Sequence, residues 1–166
     1  FENDIALYGA HLPLDVHPRL GNNALLAASI GLRAIKPFLE EKGEMVGVCS
    51  RHSIERDVLL RKLKKSLGGN VHTSNFGPRR TRVIGIITGA GGSAIYRAAA
   101  EGVDTFITGE APHWAAVAAE ELDVNLWIGG HYATETFGVK AFAAQLSKKF
   151  RVPFEFIDCP TYPNYD

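Results

Sequence analysis

Apolar residues follow two spacings along the chain, and these spacings predict alternating strands and helices. Short apolar runs next to glycine or proline predict strands at residues 5–8, 45–49, 82–88, 103–108, 124–128 and 153–157. Apolar residues three and four apart, with polar residues between them, predict helices at residues 24–30, 53–67, 94–101, 113–122 and 134–150. Asn22 and Asn23 precede the first of these helices and are interpreted as its cap.

This alternation predicts an α/β fold with a mostly parallel or mixed sheet covered by helices. Residues 36–44 are mixed and polar and are predicted to lie on the surface, and residues 75–80 are predicted to form a loop. Pro13 excludes a regular helix interior at residues 11–15. An internal boundary is predicted between a lobe of residues 44–125 and a metal-site lobe of residues 1–32 and 126–166.

Composition narrows the functional classes. The 166 residues fit one ordinary domain, and 18 basic residues balance 18 acidic ones. A neutral chain gives no support for nucleic-acid binding, and no run approaches the roughly 18 apolar residues that a membrane-spanning helix needs. The two cysteines form no pair typical of a disulfide framework or a thiolate zinc site, so we expect a cytoplasmic protein.

His131 and Glu135 carry the first candidate chemistry. They are four residues apart at the start of a predicted helix, which puts both side chains on one helix face. Imidazole and carboxylate together are ligands of first-row divalent ions. Taken alone, the pair is more often an ordinary exposed pair in a first helical turn, so spacing by itself favours that interpretation.

A second polar cluster comes early in the chain. In an extended segment His11 and Asp15 face the same way, and His17 is a third candidate. An edge strand with solvated polar residues accounts for this pattern equally well.

Two further segments follow predicted strands. The glycine-rich loop at residues 88–93 can aim backbone N–H groups at an anion, or it can simply allow a strand and a helix to pack closely. Its match to a dinucleotide-binding loop is weak. Glu110 and His113 follow the next strand, and ligands gather beyond the carboxyl ends of strands in α/β sheets. The start of helix 113–122 explains them without any ligand.

Taken together, these motifs resemble one family. The segments on which the resemblance depends are His11–Asp15 with Gly21–Asn23, the loop at residues 88–93, the run from Gly102 to Glu110, Gly130–Glu135 and residues 154–158. The chain is similar over nearly its whole length to the NIF-three-like family, also named GTP cyclohydrolase I type 2 homologues. The similarity is weakest between about Ile35 and Arg80.

The resemblance implies a dinuclear centre of divalent ions (Zn, Mn, Fe, Co or Ni) in a toroidal homohexamer. It implies Asp15, His131 and Glu135 as metal ligands, with His11 close by as an additional or supporting group. The family also supplies an adjacent His-His pair upstream of the Leu-Pro-Leu-Asp motif, and this sequence contains none. We therefore expect the chain to be the C-terminal two-thirds of a family-like protein, with only part of a two-metal site.

The leading hypothesis is a metal-dependent hydrolase-like protein acting on a nucleotide-like substrate. Asp15 would bridge or hold the ions, and Glu110 or His11 would orient or deprotonate a water molecule. The alternative is a metal-binding scaffold or metal chaperone without catalysis. A third hypothesis, a dinucleotide-binding domain, depends on the glycine-rich loop alone.

Overall fold

A computed structural model describes residues 2–161. Within this range the chain forms a mixed six-stranded sheet packed against six helices, which confirms the predicted α/β class. The helices are α1 (Leu12–Asp15), α2 (Asn22–Ser29), α3 (Arg56–Leu67), α4 (Ile95–Ala100), α5 (Trp114–Glu121) and α6 (His131–Phe150). The strands are β1 (Lys36–Glu41), β2 (Glu44–Glu55), β3 (His72–Asn75), β4 (Arg80–Ile87), β5 (Thr105–Thr108) and β6 (Asn125–Ile128).

The strand order across the sheet is β1-β2-β4-β5-β6-β3. The central strands β4, β5 and β6 are parallel to one another, whereas β1, β2 and β3 join the sheet through antiparallel pairings. Residues Thr108 and Ile128 pair at the ends of β5 and β6. The carboxyl ends of the parallel strands therefore meet at one edge, where the candidate residues follow.

Each face of the sheet has its own apolar core. One core joins Phe106 and Leu126 to small residues of α4 and α5, including Ala98 and Ala115. The other joins strand, α2 and α3 residues, among them Leu26, Leu59, Ile84, Ile107 and Trp127. Neighbouring residues on β5 and β6 enter opposite cores because side chains alternate across a strand. No helix within residues 2–161 has the length and apolar character that crossing a membrane requires.

Several predicted elements are shifted or wrong. Residues 5–8 and 153–157 form no strand, and Leu7 is 99 % exposed, because neither segment finds a partner strand. Residues 53–55 were predicted to begin a helix but belong to β2, and helix α3 begins at Arg56. Helix α6 begins at His131, three residues before its predicted start.

Three polar segments also differ from their prediction. Residues 36–41 form β1, which turns at Lys42 and Gly43 into β2, and β3 was not predicted at all. Residues 12–15 form one helical turn instead of a strand tip, with Pro13 in the first turn, where its missing N–H costs no helical bond. The division into two lobes stays a prediction.

Candidate metal centre

Three loops meet where the parallel strands end. The Gly129 N–H donates to the Thr108 carbonyl at 2.8 Å, and the Gly130 N–H donates to the Gly109 carbonyl at 3.0 Å. The Glu110 N–H in turn donates to the Gly89 carbonyl at 2.8 Å. These backbone bonds hold the start of α6 against the loops after β4 and β5.

The central feature is a carboxylate–histidine row, which we define as Glu110, His131 and Glu135. Glu110 Oε1 lies 2.9 Å from Nδ1 of His131, and Glu135 Oε2 lies 3.1 Å from Nε2 of the same ring. The two acidic side chains therefore meet opposite nitrogens of one imidazole. All three side chains are partly buried, with exposed fractions between 27 % and 37 %.

Burial raises the pKa of the Glu135 carboxyl above its ordinary value. The charge of His131 opposes this rise in pKa, Asp15 adds to it, and His11 opposes it. Asp15 and His11 therefore lie within electrostatic reach of Glu135, although both come from the opposite end of the chain.

Asp15 is held by a pair of residues that we call the asparagine anchor, Asn22 and Asn23. The Asn22 amide donates to Asp15 Oδ1 at 2.6 Å, and Asn22 Oδ1 accepts the Gly138 N–H of α6 at 2.6 Å. Asn22 thus connects Asp15 to the helix that carries His131 and Glu135.

The second residue of the anchor connects three other segments. The Asn23 amide donates to the carbonyls of Asp15 and Val46, at 3.2 and 2.9 Å. Its Oδ1 accepts the N–H and the hydroxyl of Thr88, at 2.8 and 3.1 Å. The predicted helix cap is therefore wrong: Gly21 is the N-cap residue, and both asparagines are buried helical residues that bond distant backbone.

The glycines of the site permit close approach. Gly89 has φ +65°, and a Cβ placed there would collide with the Glu135 carboxylate. A Cβ on Gly109 would lie 2.7 Å from the Gly89 carbonyl oxygen and 2.9 Å from the His131 Cα. Neither position can hold a side chain without moving the row.

N–H groups of the glycine-rich loop donate hydrogen bonds to other segments of the protein. Gly89 and Gly91 donate to the hydroxyls of Thr134 and Thr108, both at 3.1 Å, and Gly92 donates to the Glu110 carbonyl at 2.9 Å. These three N–H groups are engaged within the protein, which favours close packing as the reason for the glycines. The dinucleotide-binding alternative stays a prediction.

The other candidate histidines are not members of the row, although His11 lies within electrostatic reach of Glu135. His11 is exposed at the N-terminus of α1, and His113 is exposed at the N-terminus of α5. His17 Nδ1 accepts the N–H groups of Arg19 and Leu20, at 3.2 and 3.0 Å, and so stabilises a turn. Across residues 2–161, no group of three His, Cys, Asp or Glu side chains has an arrangement able to hold a metal ion by itself.

Three cavities border the row. The first, of about 400 Å³, is lined by Glu110, Ser93 and Pro112, among others. The second, of about 410 Å³, is lined by His131, Lys65 and Lys140 together with Asp158 from the segment after α6. The third, of about 460 Å³, is lined by all three residues of the row.

A tyrosine holds the segment after α6 in place. The Tyr132 hydroxyl donates to Asp158 Oδ1 at 2.7 Å and accepts the Cys159 N–H at 2.8 Å. The hydrogen bond to Asp158 raises the pKa of Tyr132. This contact sets one wall of the second cavity, and sequence patterns gave no signal for it.

Comparison with known proteins places this geometry in context. Residues 1–163 match the family described as Duf34/NIF3 (NGG1p interacting factor 3). Curated relatives named GTP cyclohydrolase 1 type 2 homolog include those of Deinococcus radiodurans, 37 % identical, and Pyrococcus abyssi, 39 % identical. The alignments cover 95 % and 96 % of this chain but only 61 % and 64 % of those relatives. The chain thus spans less than two thirds of their length.

Solved structures agree with the fold. The structure of TTHA1606 from Thermus thermophilus superposes with a TM-score of 0.85 at 34 % identity, over 97 % of this chain and 64 % of that one. Reduced HcgD from Methanocaldococcus jannaschii superposes with a TM-score of 0.77 at 30 % identity, over 89 % and 58 % of the respective chains.

Proposed function

The chain belongs to the Duf34/NIF3 family, and from that premise we propose that Asp15, His131 and Glu135 are ligands of a divalent metal ion. The protein would be a metal-dependent, hydrolase-like enzyme. The name of its curated relatives supports a nucleotide-like substrate.

The observation that carries this proposal is the partnering of His131. A neutral imidazole has one N–H and one lone pair. If the N–H is on Nδ1 and donates to Glu110, the lone pair on Nε2 faces the Glu135 carboxylate at 3.1 Å. Two acceptors at that separation need a positive centre between them, which is either a proton or a metal ion.

The spacing fits a shared ion. Nitrogen and oxygen ligands lie about 2.0–2.2 Å from a metal such as zinc, so at right-angled to tetrahedral geometry they are about 2.8–3.6 Å apart. The distance of 3.1 Å between Nε2 of His131 and Oε2 of Glu135 falls in that range. Imidazole and carboxylate donors suit Zn, Mn, Fe, Co and Ni alike.

The remaining ligands are part of the proposal. Asn22 holds Asp15 Oδ1, and Asp15 is within electrostatic reach of Glu135. Because the three candidates do not form a complete group within residues 2–161, we assign them a share of the ligand set. Water or donors outside this range would complete it, and two ions would be bound in each full-length subunit.

A divalent ion at this place supplies a lowered pKa for bound water and a positive charge for a polarised substrate. His11 is the residue we propose for handling the proton of that water, because Glu110 contacts Nδ1 of His131 and not the nitrogen that would hold the ion. His11 is exposed and close enough to Glu135 to affect its pKa. The adjoining cavities, of about 400, 410 and 460 Å³, are within the size range of small-molecule sites and would admit the substrate.

We also propose a cellular location and an oligomeric state for the enzyme. Two unpaired cysteines suit a reducing cytoplasm. The zero formal net charge offers little repulsion between copies, which is compatible with the proposed toroidal homohexamer.

Metal analysis tests the function directly. The full-length protein is dialysed against Zn²⁺ or Mn²⁺, and bound metal is measured by elemental analysis in the wild type and in His131→Ala, Asp15→Ala and Glu135→Ala. We expect at least about a hundredfold weaker binding in His131→Ala. His113→Ala, which removes an exposed histidine, is the control and should bind as the wild type does. No bound metal in the wild type, or equal binding in His131→Ala, contradicts the proposal.

Turnover then separates enzyme from scaffold. Hydrolysis of nucleotides by the metal-loaded wild type, lost in His131→Ala, supports catalysis. Stoichiometric metal without turnover by the full-length protein supports a metal-binding scaffold or chaperone.

A further inference from the structure

We propose that Glu110 is a positioning residue that accepts the Nδ1–H of His131 and so leaves Nε2 of that ring free for a metal ion. The metal part of this inference rests on the proposed function. The tautomer part concerns the metal-free chain and can be tested without any ion.

The geometry assigns one carboxylate to each ring nitrogen. Glu110 Oε1 lies 2.9 Å from Nδ1, and Glu135 Oε2 lies 3.1 Å from Nε2. Glu110 therefore contacts the ring nitrogen that Glu135 does not. A histidine that binds metal through one nitrogen commonly donates its other N–H to a carboxylate, which fixes both tautomer and ring orientation.

The backbone of Glu110 is held on both sides. Its N–H donates to the Gly89 carbonyl at 2.8 Å, and its own carbonyl accepts the Gly92 N–H at 2.9 Å. The Thr108 hydroxyl lies 3.3 Å from the same carbonyl oxygen. The carboxylate is thus presented from a hydrogen-bonded loop that is not part of the helix that carries His131.

Glu135 cannot replace this contact. It lies on the same helix as His131, four residues along, so its contact with the ring is made within α6. Glu110 lies after β5, so its bond to Nδ1 ties the imidazole to the sheet. Of the two charged partners of the ring in residues 2–161, only Glu110 lies outside α6. Glu110 is therefore the partner that orients the ring relative to the sheet.

Nuclear magnetic resonance of the metal-free chain tests the tautomer. Long-range ¹H–¹⁵N correlation of the neutral His131 ring should show the proton on Nδ1 in the wild type. Glu110→Ala should move it to Nε2, whereas Glu110→Gln should keep it on Nδ1 because the amide oxygen still accepts. Glu120→Ala, which removes an exposed carboxylate on α5, is the control and should match the wild type.

A wild-type ring with its proton on Nε2 overturns the inference, and this result needs no variant to fold. Retention of the Nδ1 proton in Glu110→Ala overturns it as well. Folding of each variant is checked by circular dichroism.

Zinc titration tests the consequence. We expect Glu110→Ala to bind Zn²⁺ about 10–100-fold more weakly than the wild type and Glu110→Gln to recover most of the affinity. Equal affinity in the wild type and Glu110→Ala contradicts the positioning role. If the wild type binds no zinc at all, the proposed function fails, while the tautomer spectra still decide the role of Glu110.

Discussion

The asparagine anchor and the carboxylate–histidine row both contact α6, but they differ in burial and in the groups that they bond. Asn22 and Asn23 are 4 % and 2 % exposed, and their amides bond mostly backbone groups from distant segments. The row is partly exposed, and its contacts join ionisable side chains to one another.

This difference separates what the two clusters do. Removing a buried hydrogen-bonding group leaves its partners unsatisfied, which costs about 1–3 kcal/mol for each of them. Partly exposed ion pairs contribute only about 0–1 kcal/mol. The anchor is therefore expected to stabilise the fold, and the row is expected to matter chiefly for ligand binding.

Asn23→Ala should have the largest effect on stability. It leaves the Thr88 N–H and hydroxyl and the Val46 carbonyl without their partner, so we expect the free energy of unfolding to fall by about 3 kcal/mol. Urea denaturation measures the change. Asn70→Ala, at an exposed position, should stay within about 0.5 kcal/mol of the wild type. A similar small change in Asn23→Ala would remove the distinction between the two clusters.

Gly89→Ala should lower both the stability of the protein and its affinity for metal. The left-handed φ of +65° costs an alanine about 1–2 kcal/mol, and its Cβ also displaces the Glu135 carboxylate. Gly102→Ala separates these effects because Gly102 has φ +82° and a Cβ there meets no atom within 4 Å. We expect comparable losses of stability from backbone strain, but weaker metal binding only in Gly89→Ala. Weaker metal binding in both variants would contradict the collision.

His131→Ala should change stability less than Asn23→Ala or Gly89→Ala does. Because its ion pairs are partly exposed, we expect the free energy of unfolding to change by at most about 1 kcal/mol, although metal binding is lost. Urea denaturation of the metal-free protein measures this. A loss as large as that of Asn23→Ala would mean that the row is a structural cluster.

Tyr132→Phe should have the smallest effect. It removes only the hydroxyl that bonds Asp158 and the Cys159 N–H, in an exposed segment. We expect unchanged global stability but faster hydrogen exchange at the Cys159 amide. Tyr96→Phe, which alters an exposed tyrosine elsewhere, should leave that exchange rate unchanged. Unchanged exchange in Tyr132→Phe would show that the hydroxyl does not hold this segment.

The central strands were predictable because their apolar runs are buried on both faces, as in β4 and β6. The same kind of run led to a wrong strand prediction at residues 5–8, because an apolar pattern does not reveal whether a partner strand exists. Strand β1 was missed for the opposite reason. Only Phe38 and Leu39 are buried in an otherwise polar segment, and Leu39 has φ +55° and falls outside the regular pairing with β2.

The sequence by itself determined the spacing of four residues between His131 and Glu135, which puts two side chains on one face of a helix. The structure showed that the helix extends to His131, three residues before its predicted start. The sequence also indicated that Glu110 follows a buried strand. Only the tertiary structure decided that Glu110 meets Nδ1 of His131, since that contact depends on the pairing of β5 with β6. Only packing could bring Asp15 near α6, because its link runs through a buried amide that bonds Gly138, 116 residues away from Asn22.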